Sequence, residues 1–407
     1  MRSRVNFVCN VQEWADMSIL DAQIETDIIR WDSLESDVEA TEFARSFPGH
    51  RRTGSAGDFA TDRWLAEELS TVGLRPETQT YPFQRFRVEE CWIEFGGERI
   101  PAVPMYDTTA MDFCLDGQIG AEIAVLPCSP QEAHADTRAV LSARAIAHHK
   151  AIIAISAATT VAPGLALVNS ESYRNPCATP VFQISSEHAD KFSVRPAGQA
   201  LTCRLLAHRE PATATNMTCF IRGKSNADPW VVMTPKSCWW TSTSERAGGL
   251  VAWLALARHF AKKQPTHDIV FSANSGHELS HLGMDYFLEH LIAEKSGNIE
   301  IDGWLHLGAN FAAGHIPHLQ ASNQADLDRL TGALARQNIL KFTHTPVRDR
   351  PVGEARNIHA IGGRFISIVG GNPYFHHPAD RYPACVDLSA TIHITQAILN
   401  IMDETLG

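Results

Sequence analysis

The stretch FSANSGHELSHLGMDYF, residues 271–287, decides the fold, because it joins the end of an apolar strand to the start of a helix. Within it, His277 to His281 fit the pattern H-E-x-x-H, which binds zinc only when both histidines lie on one helical face. A serine and a glycine stand directly before the pattern and are typical of a turn. We therefore expect His277 and Glu278 at a strand end or in a loop, with a helix starting near His281.

Apolar strands alternate with helices along the second half of the chain. Strands are predicted at WVVMTP (230–235), HDIVFSAN (267–274), GWLHLGANF (303–311) and RFISIVGG (364–371), and helices at 246–262 and 281–294. A last helix is expected to begin near Asp387, a favourable N-cap residue. The alternation predicts an α/β fold, a mostly parallel mixed sheet flanked by helices, with its chemistry at the carboxyl ends of the strands.

The predicted pattern of secondary structure changes twice along the first half of the chain. Residues 48–73 predict a turn followed by a helix, and CWIEFGGERIPAV predicts a hairpin around Gly96-Gly97. Three short apolar strands and a helical stretch then predict a small α/β unit. We expect residues 1–102 and 206–407 to form one domain, into which residues 103–205 are inserted as a subdomain.

Composition and charge narrow the classes of function. The 407 residues contain 35 Lys and Arg against 46 Asp and Glu, a formal net charge of −11, which argues against a nucleic-acid partner. The N-terminus contains no apolar segment of a secretory signal, and no stretch is long and apolar enough to cross a membrane. Nine cysteines lack C-x-x-C spacing and read as reduced thiols. A cytoplasmic protein is expected, and a homo-oligomer is compatible with the sequence.

Several segments, in this order, resemble the co-catalytic zinc aminopeptidase superfamily, which also contains glutaminyl cyclases. They are PGHRRTGSAGDFATDRWLAEELSTVGL, NMTCFIRG, GGLVAWLALARHF, FSANSGHELSHLGMDYF and FHHPADR. The unit at 103–205 resembles the protease-associated domain that some members carry at this point. The resemblance implies a zinc aminopeptidase-like (phosphorylase/hydrolase-like) fold.

The metal-ligand positions implied by the resemblance are only partly retained. The first His-x-Asp pair reads Lys236-Ser237-Cys238, and the later Asp ligand falls on Gly308. The ligands of one metal survive, and they are Glu245, Glu278 and His376. Two carboxylates and one imidazole suit a single zinc ion, or another divalent metal, with an open fourth position.

Two residues are candidates for the chemistry itself. His277 replaces the general-base glutamate of the family, and it either transfers protons or holds a neighbouring group by a hydrogen bond. Lys236 would supply positive charge where the second cation is missing and would stabilise an oxyanion.

Six further residues are predicted to line a substrate site. The tryptophans would form an apolar wall or else pack in the core, and His306 is either a replacement ligand or an ordinary buried histidine. The glutamate and arginine near 355 would bind a charged substrate group or pair with each other. The six residues are Trp239, Trp240, His306, Asn310, Glu354 and Arg356.

Three functions are compatible with this set of residues. The first is a divergent zinc-dependent hydrolase that cleaves an amide bond in a small peptide or an N-acyl compound. The second is a cyclase- or lyase-type metalloenzyme that polarises a carbonyl without activating water. The third is a non-catalytic binding module. Survival of one complete ligand set favours an enzyme, and we expect the hydrolase.

Overall fold

The computed structural model describes residues 11–34, 47, 50–156, 162–193, 198–293, 301–314 and 316–407. Residues 1–10 lie outside these ranges, and the expectation about a secretory signal rests partly on them. The first two residues of the predicted turn at 48–73 and the last residue of the helix predicted at 281–294 also lie outside.

The strands in the described part of the chain belong to two sheets. In chain order they are β1 (Pro76–Phe95), β2 (Glu98–Pro101), β3 (Val103–Pro104), β4 (Asp112–Gln118), β5 (Ile123–Cys128), β6 (Ala151–Ser156), β7 (Val181–Ile184), β8 (Ala200–Ile221), β9 (Trp230–Pro235), β10 (Ile269–Asn274), β11 (Gly303–Leu307), β12 (His318–Ala321), β13 (Thr343–His344) and β14 (Phe365–Val369).

The α-helices of the described residues cover the larger sheet, and one of them packs on two strands of the smaller sheet. They are α1 (Val11–Ser33), α2 (Ala56–Thr71), α3 (Ala135–Ile146), α4 (Ala189–Ser193), α5 (Thr243–Lys262), α6 (Leu282–Ala293), α7 (Gln324–Arg336), α8 (Ala355–Ala360) and α9 (Leu388–Leu406).

The larger sheet is mixed, and its parallel part lies at the centre. The strand order is β13-β12-β14-β11-β9-β10-β8-β1-β2, with β4 paired to β8 outside this path. Strands β14, β11, β9 and β10 run parallel to their neighbours within this group. Helices connect these strands, so their carboxyl ends meet at one edge, as the alternation predicted. The fold class is therefore confirmed.

Helix α5 lies at the centre of the main core. Most of its residues are buried, among them Leu250, Trp253, Leu254 and Ala257. Helices α1 and α9 cover it on the side away from the sheet. A helix that is buried on nearly all faces has no solvent-exposed polar face, which explains its many alanines and glycines.

The hairpin and the region predicted to be inserted contribute strands to both sheets. Phe95 pairs with Glu98 around Gly96-Gly97, as predicted. The smaller sheet, of order β3-β7-β6-β5, lies between residues 103 and 184. However, β4 pairs with β8 in the larger sheet, and β8 continues through the boundary predicted at 205/206. Assignment of residues 103–205 to a protease-associated subdomain stays a prediction.

Two general expectations can be compared with the described residues. None of the helices in these ranges is long and apolar enough to cross a membrane. The described cysteines, from Cys91 to Cys385, are free thiols.

Candidate metal centre

The loops at the carboxyl ends of β9, β10, β11 and β14 bring the predicted site residues to one edge of the sheet. Residues Lys236 to Trp240 follow β9, and His277 follows β10. His376 comes after β14. Such an edge is where open α/β sheets bind ligands.

The segment quoted first forms a tight turn and not a helix. His277–Leu279 is a single 3-10 turn between Gly276, with φ +87°, and Ser280, with φ +61°. Helix α6 starts only afterwards, so His277 and His281 do not share a helical face. Their rings stack instead, with 5.3 Å between the centroids.

Hydrogen bonds on both ring nitrogens orient His277. The indole N–H of Trp239 can only donate, and it lies 3.1 Å from Asn169 Oδ1. The amide nitrogen of Asn169 then faces His277 Nε2 at 3.4 Å, so Nε2 is an acceptor. Nδ1–H donates to Glu354 Oε1 at 2.6 Å. Burial and Arg246 lower the pKa of His277 despite Glu354, which favours the neutral ring with its lone pair on Nε2.

A second histidine, His376, lies close to the carboxylate of Glu245. Glu245 lies in the first turn of α5 and is fully buried, and its Oε1 is 3.4 Å from His376 Nε2. Burial would raise the pKa of Glu245, but the cation of Arg246, with other nearby groups, outweighs burial and lowers it to about 2. Glu245 is therefore a buried anion at neutral pH.

His376 has an unusual backbone and an unsatisfied ring nitrogen. Its φ is +54°, a conformation that costs about 1–3 kcal/mol in a non-glycine residue and often marks a functional site. Nδ1–H donates to the carbonyl oxygen of Leu167 at 2.7 Å, which leaves the lone pair on Nε2. Nε2 is buried and has no hydrogen-bond partner among the described residues. A lone pair in this state is suited to a metal ion.

Arg246 adds a fixed cation that sequence reasoning missed. Its guanidinium is buried and donates from Nη2 to Glu245 Oε1 at 2.6 Å and from Nε to the carbonyl oxygen of Ser237 at 2.9 Å. Nη1 has no hydrogen-bond partner within the described ranges. The signal was available in the sequence, since an arginine adjoins the ligand candidate in SERAGG.

Asp380 and Asn372 hold the start of α5 in place. The Asp380 carboxylate accepts from the backbone N–H groups of Ser244, at 2.8 Å, and Glu245, at 3.1 Å. Asn372 Nδ2 donates to Asp380 Oδ2 at 3.0 Å. Burial raises the pKa of Asp380 to about 6 against these hydrogen bonds. Glu245 is thus positioned by a residue far along the chain, near His376.

Donor atoms of three residues converge closely enough to hold one ion. One oxygen of Glu245 and one nitrogen each of His277 and His376 lie within 4.8 Å of one another. We call Glu245, His277 and His376 the histidine cluster. Two imidazoles and a carboxylate suit zinc with an open fourth position, so the residues present fit the metal. A second group, His277, His281 and Glu354, also has donor atoms that lie within 4.8 Å of one another.

The ligand set implied by the sequence differs from this cluster at one position. Glu278 Oε1 accepts from the backbone N–H and the hydroxyl of Thr53, at 2.6 and 2.7 Å, and Oε2 accepts from the Ser237 hydroxyl at 2.7 Å. These bonds involve both carboxylate oxygens of Glu278, and neither metal-donor group includes it. His277 stands in the histidine cluster instead.

Lys236 also lies elsewhere than expected. Its ammonium is fully buried and forms an ion pair with Asp58, and Nζ lies 3.1 Å from Asp62 Oδ1. Both aspartates belong to α2. The charge of Lys236 is therefore neutralised within this group, and Arg246 is the cation beside Glu245.

The other candidate residues take several roles. Trp240 is buried and donates to the carbonyl oxygen of His376 at 2.8 Å. His306 is fully buried, with Nε2 3.3 Å from Glu354 Oε2 and Nδ1 2.8 Å from the Ser367 hydroxyl. Neither residue belongs to a metal-donor group. Both hold residues of the site in place.

Two further candidates lie at the edge of the site. The backbone N–H of Asn310 donates to the carbonyl oxygen of Glu245 at 3.0 Å. Arg356 forms an ion pair with Glu171 and has Nη1 3.6 Å from Glu132 Oε2, so in the described part of the chain it pairs with these glutamates and not with Glu354. At Gly308 a β-carbon would lie 2.5 Å from Val369 Cγ1, which leaves no room for a ligand side chain.

Comparison with known proteins supports the fold and a resemblance to one peptidase family. Residues 244–402, from the start of α5 to α9, match the model of peptidase family M28. A zinc aminopeptidase from Bacillus subtilis is similar in structure, with a TM-score of 0.67 at 14% identity over 96% of this chain and 95% of that one. The chain therefore shares its fold with zinc aminopeptidases, and residues 244–402 are similar to peptidase family M28. The family match supports a metallopeptidase-type hydrolase.

Two other solved structures share this fold. An aminopeptidase from Aneurinibacillus sp. strain AM-1 has a TM-score of 0.66 at 13% identity, covering 95% of this chain and 94% of that chain. A peptidase M28 precursor from Shewanella amazonensis has a TM-score of 0.67 at 15% identity, covering 95% and 96%. No curated protein sequence matches the chain significantly.

Proposed function

We propose that the chain is a single-metal hydrolase, with zinc as its metal, that cleaves an amide bond in a small peptide or an N-acyl compound. The observation that carries the proposal is the buried Nε2 of His376, which lies beside donor atoms of Glu245 and His277 and has no hydrogen-bond partner in the described ranges. A nitrogen lone pair without a hydrogen bond in a buried site is costly unless a ligand satisfies it.

The histidine cluster would hold the metal through Glu245, His277 and His376. Zinc bound there would polarise a carbonyl group and lower the pKa of a bound water to about 7. Leu167 fixes His376 and Glu354 fixes His277, each by accepting from Nδ1–H. Both rings therefore carry their lone pair on Nε2, and at His277 the metal would replace the Asn169 amide as the partner of that lone pair.

Arg246 would stabilise the charge that develops during cleavage. Its Nη1 is a buried donor with no hydrogen-bond partner among the described residues, and a carbonyl oxygen that becomes negative is an acceptor for such a group. This assigns to Arg246 the role that the sequence suggested for Lys236. Nη2 and Nε keep the guanidinium in place through Glu245 and Ser237.

The first test is zinc content per chain, by elemental analysis of the wild type and three variants. We expect about one zinc in the wild type and in Glu278→Gln, and none in His376→Ala or His277→Ala, because each histidine supplies one of three donors. His393→Ala, on the exposed face of α9, is the control and should keep its zinc.

The same variants separate the two ligand sets. Zinc lost from Glu278→Gln but kept by His277→Ala would support the set implied by the sequence and leave His277 as a proton-transfer group. A wild-type protein that takes up no zinc, even after zinc is added, would contradict any metallohydrolase.

Turnover is tested with amino-acid p-nitroanilides and N-acetyl amino acids on the zinc-loaded protein. A cyclase- or lyase-type reaction is the second candidate, because His277, which stands in place of the general-base glutamate, could not take a proton from water while it holds the metal. Cyclised or eliminated products without hydrolysis would favour it. Zinc uptake with no turnover at all would favour a binding module. A cytoplasmic location and a homo-oligomeric state remain proposals from the sequence.

A further inference from the structure

A row of polar side chains crosses three neighbouring strands of the larger sheet and ends at Glu354. Gln320 on β12 pairs in register with Ser367 on β14, and Ser367 pairs in register with His306 on β11. Residues paired in register on neighbouring strands have side chains on the same face of a sheet. All three are fully buried, so their polar atoms are costly unless they bond to one another. We call Gln320, Ser367 and His306 the polar row.

The backbone of Val352 decides the direction of the hydrogen bonds in the polar row. Its N–H can only donate, and it donates to Gln320 Oε1 at 2.6 Å. The other end of this amide, Nε2, then donates to the Val352 carbonyl oxygen at 3.3 Å and to Ser367 Oγ at 3.1 Å. Gln320 is therefore anchored to the chain two residues before Glu354.

His306 connects the polar row to Glu354. An ionised carboxylate only accepts hydrogen bonds, so His306 Nε2, 3.3 Å from Glu354 Oε2, carries the proton of the neutral ring. His306 Nδ1 is then an acceptor, and the Ser367 hydroxyl donates to it at 2.8 Å. Each group of the row donates to the next one, and the last acceptor is Glu354.

Two glycines pack closely against the ring of His306. A β-carbon at Gly308 would lie 2.8 Å from His306 Cε1, and one at Gly353 would lie 3.1 Å from the same atom. Gly353 has φ +63°, a conformation that favours glycine and lets the backbone just before Glu354 approach the ring. This packing restricts rotation of the imidazole, so its Nε2–H stays directed at Glu354.

We propose that the polar row positions the metal site. It holds one oxygen of Glu354, so that the other oxygen stays where it accepts the Nδ1 proton of His277 and leaves the lone pair of that ring on Nε2. The inference rests on the proposed function in its last step, since the metal belongs to that proposal. His306 is then neither a replacement ligand nor an ordinary buried histidine, but a residue that acts on the metal through Glu354 and His277.

Zinc affinity, measured by competition with a chelator, tests the proposal at the centre of the row. Ser367→Ala removes the hydroxyl that donates to His306 without touching Glu354 or His277. The zinc dissociation constant should rise by about tenfold, the lower end of the range for groups behind metal-binding histidines. Ser367→Thr keeps a hydroxyl and should restore most of the affinity. Ser272→Ala, a fully buried serine on β10 outside the row, is the control and should bind zinc like the wild type.

A double-mutant cycle with Glu354→Gln separates positioning from a general loosening of the fold. If the row acts through the Glu354 carboxylate, Ser367→Ala should have little further effect on zinc affinity once that carboxylate is gone. Gln320→Met removes the amide at the far end of the row and repeats the cycle, and urea denaturation shows whether each variant folds. An unchanged dissociation constant in both single variants, or an equal loss with and without the carboxylate, would overturn the proposal.

Failure of this proposal is distinguishable from failure of the proposed function, because the row can be tested without metal. NMR of the zinc-free protein with isotope-labelled histidine reports which ring nitrogen carries the proton, and the signals are assigned by their loss in His306→Gln and His277→Ala. We expect the proton on Nε2 of His306 and on Nδ1 of His277. The opposite tautomers in a protein that binds zinc would reject the row and leave the hydrolase standing. The expected tautomers in a protein that takes up no zinc would reject the metal site and leave the row standing.

Discussion

Two buried charge clusters lie at the carboxyl edge of the sheet, and they differ in how fully their charged and polar atoms face opposite charges. In the lysine cluster, formed by Lys236, Asp58 and Asp62, one ammonium lies between two carboxylates. In the histidine cluster, His376 Nε2 lacks a hydrogen-bond partner among the described residues, as does Nη1 of the adjoining Arg246.

The difference indicates which cluster holds the fold together and which one has capacity to bind something. Burying charge is costly, and the lysine cluster offsets this cost with opposite charges inside the protein. Among the described residues, the histidine cluster and the adjoining Arg246 leave a lone pair and a donor without a partner, which is costly in the absence of a ligand. The first arrangement is typical of a structural site and the second of a functional site.

The largest effect that tests this comparison is expected for Lys236→Met. Methionine keeps the volume but leaves two buried aspartates without a cation, so the free energy of unfolding should fall by about 3–5 kcal/mol. Urea denaturation measures the loss, and zinc content should not change. Unchanged stability with lost turnover would instead return Lys236 to the oxyanion role suggested by the sequence.

A triple variant, Lys236→Met with Asp58→Asn and Asp62→Asn, serves as the control for this change. Because it removes all the charges of the lysine cluster, it should be more stable than Lys236→Met alone. Equal stability of the two variants would mean that packing, and not the unpaired charge, causes the loss.

The next effect is the dependence of stability on pH. Burial, only partly opposed by Lys236, raises the pKa of Asp62 to about 6 from 3.8. The folded protein therefore binds a proton more strongly than the unfolded chain does, so this stabilisation is complete below about pH 3.8 and is lost as pH rises through about 6. The shift of about two units corresponds to about 3 kcal/mol.

Denaturation of the wild type and of Asp62→Asn between pH 4 and pH 7 measures this contribution. The wild type should lose more stability than the variant over this window, whereas the exposed control Asp328→Asn should follow the wild type. Parallel curves for the wild type and Asp62→Asn would show that Asp62 is ionised throughout, as a fully neutralised pair would require.

The sequence predicted most elements of the fold because their signals are local. The Gly96-Gly97 turn and the Asp387 cap both form as expected. Helix α5 starts three residues before the predicted position 246, since Asp380 accepts from backbone N–H groups in its first turn. The lengths of β1 and β8 depend on their pairing with each other, which no local pattern contains.

The candidate site was predicted less completely, and the reasons are physical. His277 and Glu278 are neighbours in a 3-10 turn, where the directions of successive side chains depend on tertiary contacts. Thr53, far away in the chain, donates two hydrogen bonds to the Glu278 carboxylate. The cation of the site was misassigned because the aspartates that pair with Lys236 lie on α2, far from it in sequence.

The smallest effect concerns how the histidine cluster is held, and Glu354→Gln tests it. The carboxylate of Glu354 orients His277 and makes its Nε2 a stronger donor to a metal, as carboxylates behind metal-binding histidines do. Glutamine keeps the shape but loses the charge, so the zinc dissociation constant should rise by about 10- to 100-fold. Competition with a chelator measures it.

Two outcomes of the Glu354→Gln experiment would sharpen the comparison further. Glu289→Gln, an exposed change on α6, should leave zinc affinity unaltered. Two zinc ions in the wild type, with one of them lost in Glu354→Gln, would mean that His277, His281 and Glu354 hold a metal of their own. One zinc ion bound more weakly would mean that Glu354 acts through His277, because the ion then depends on the charge of a residue that does not touch it.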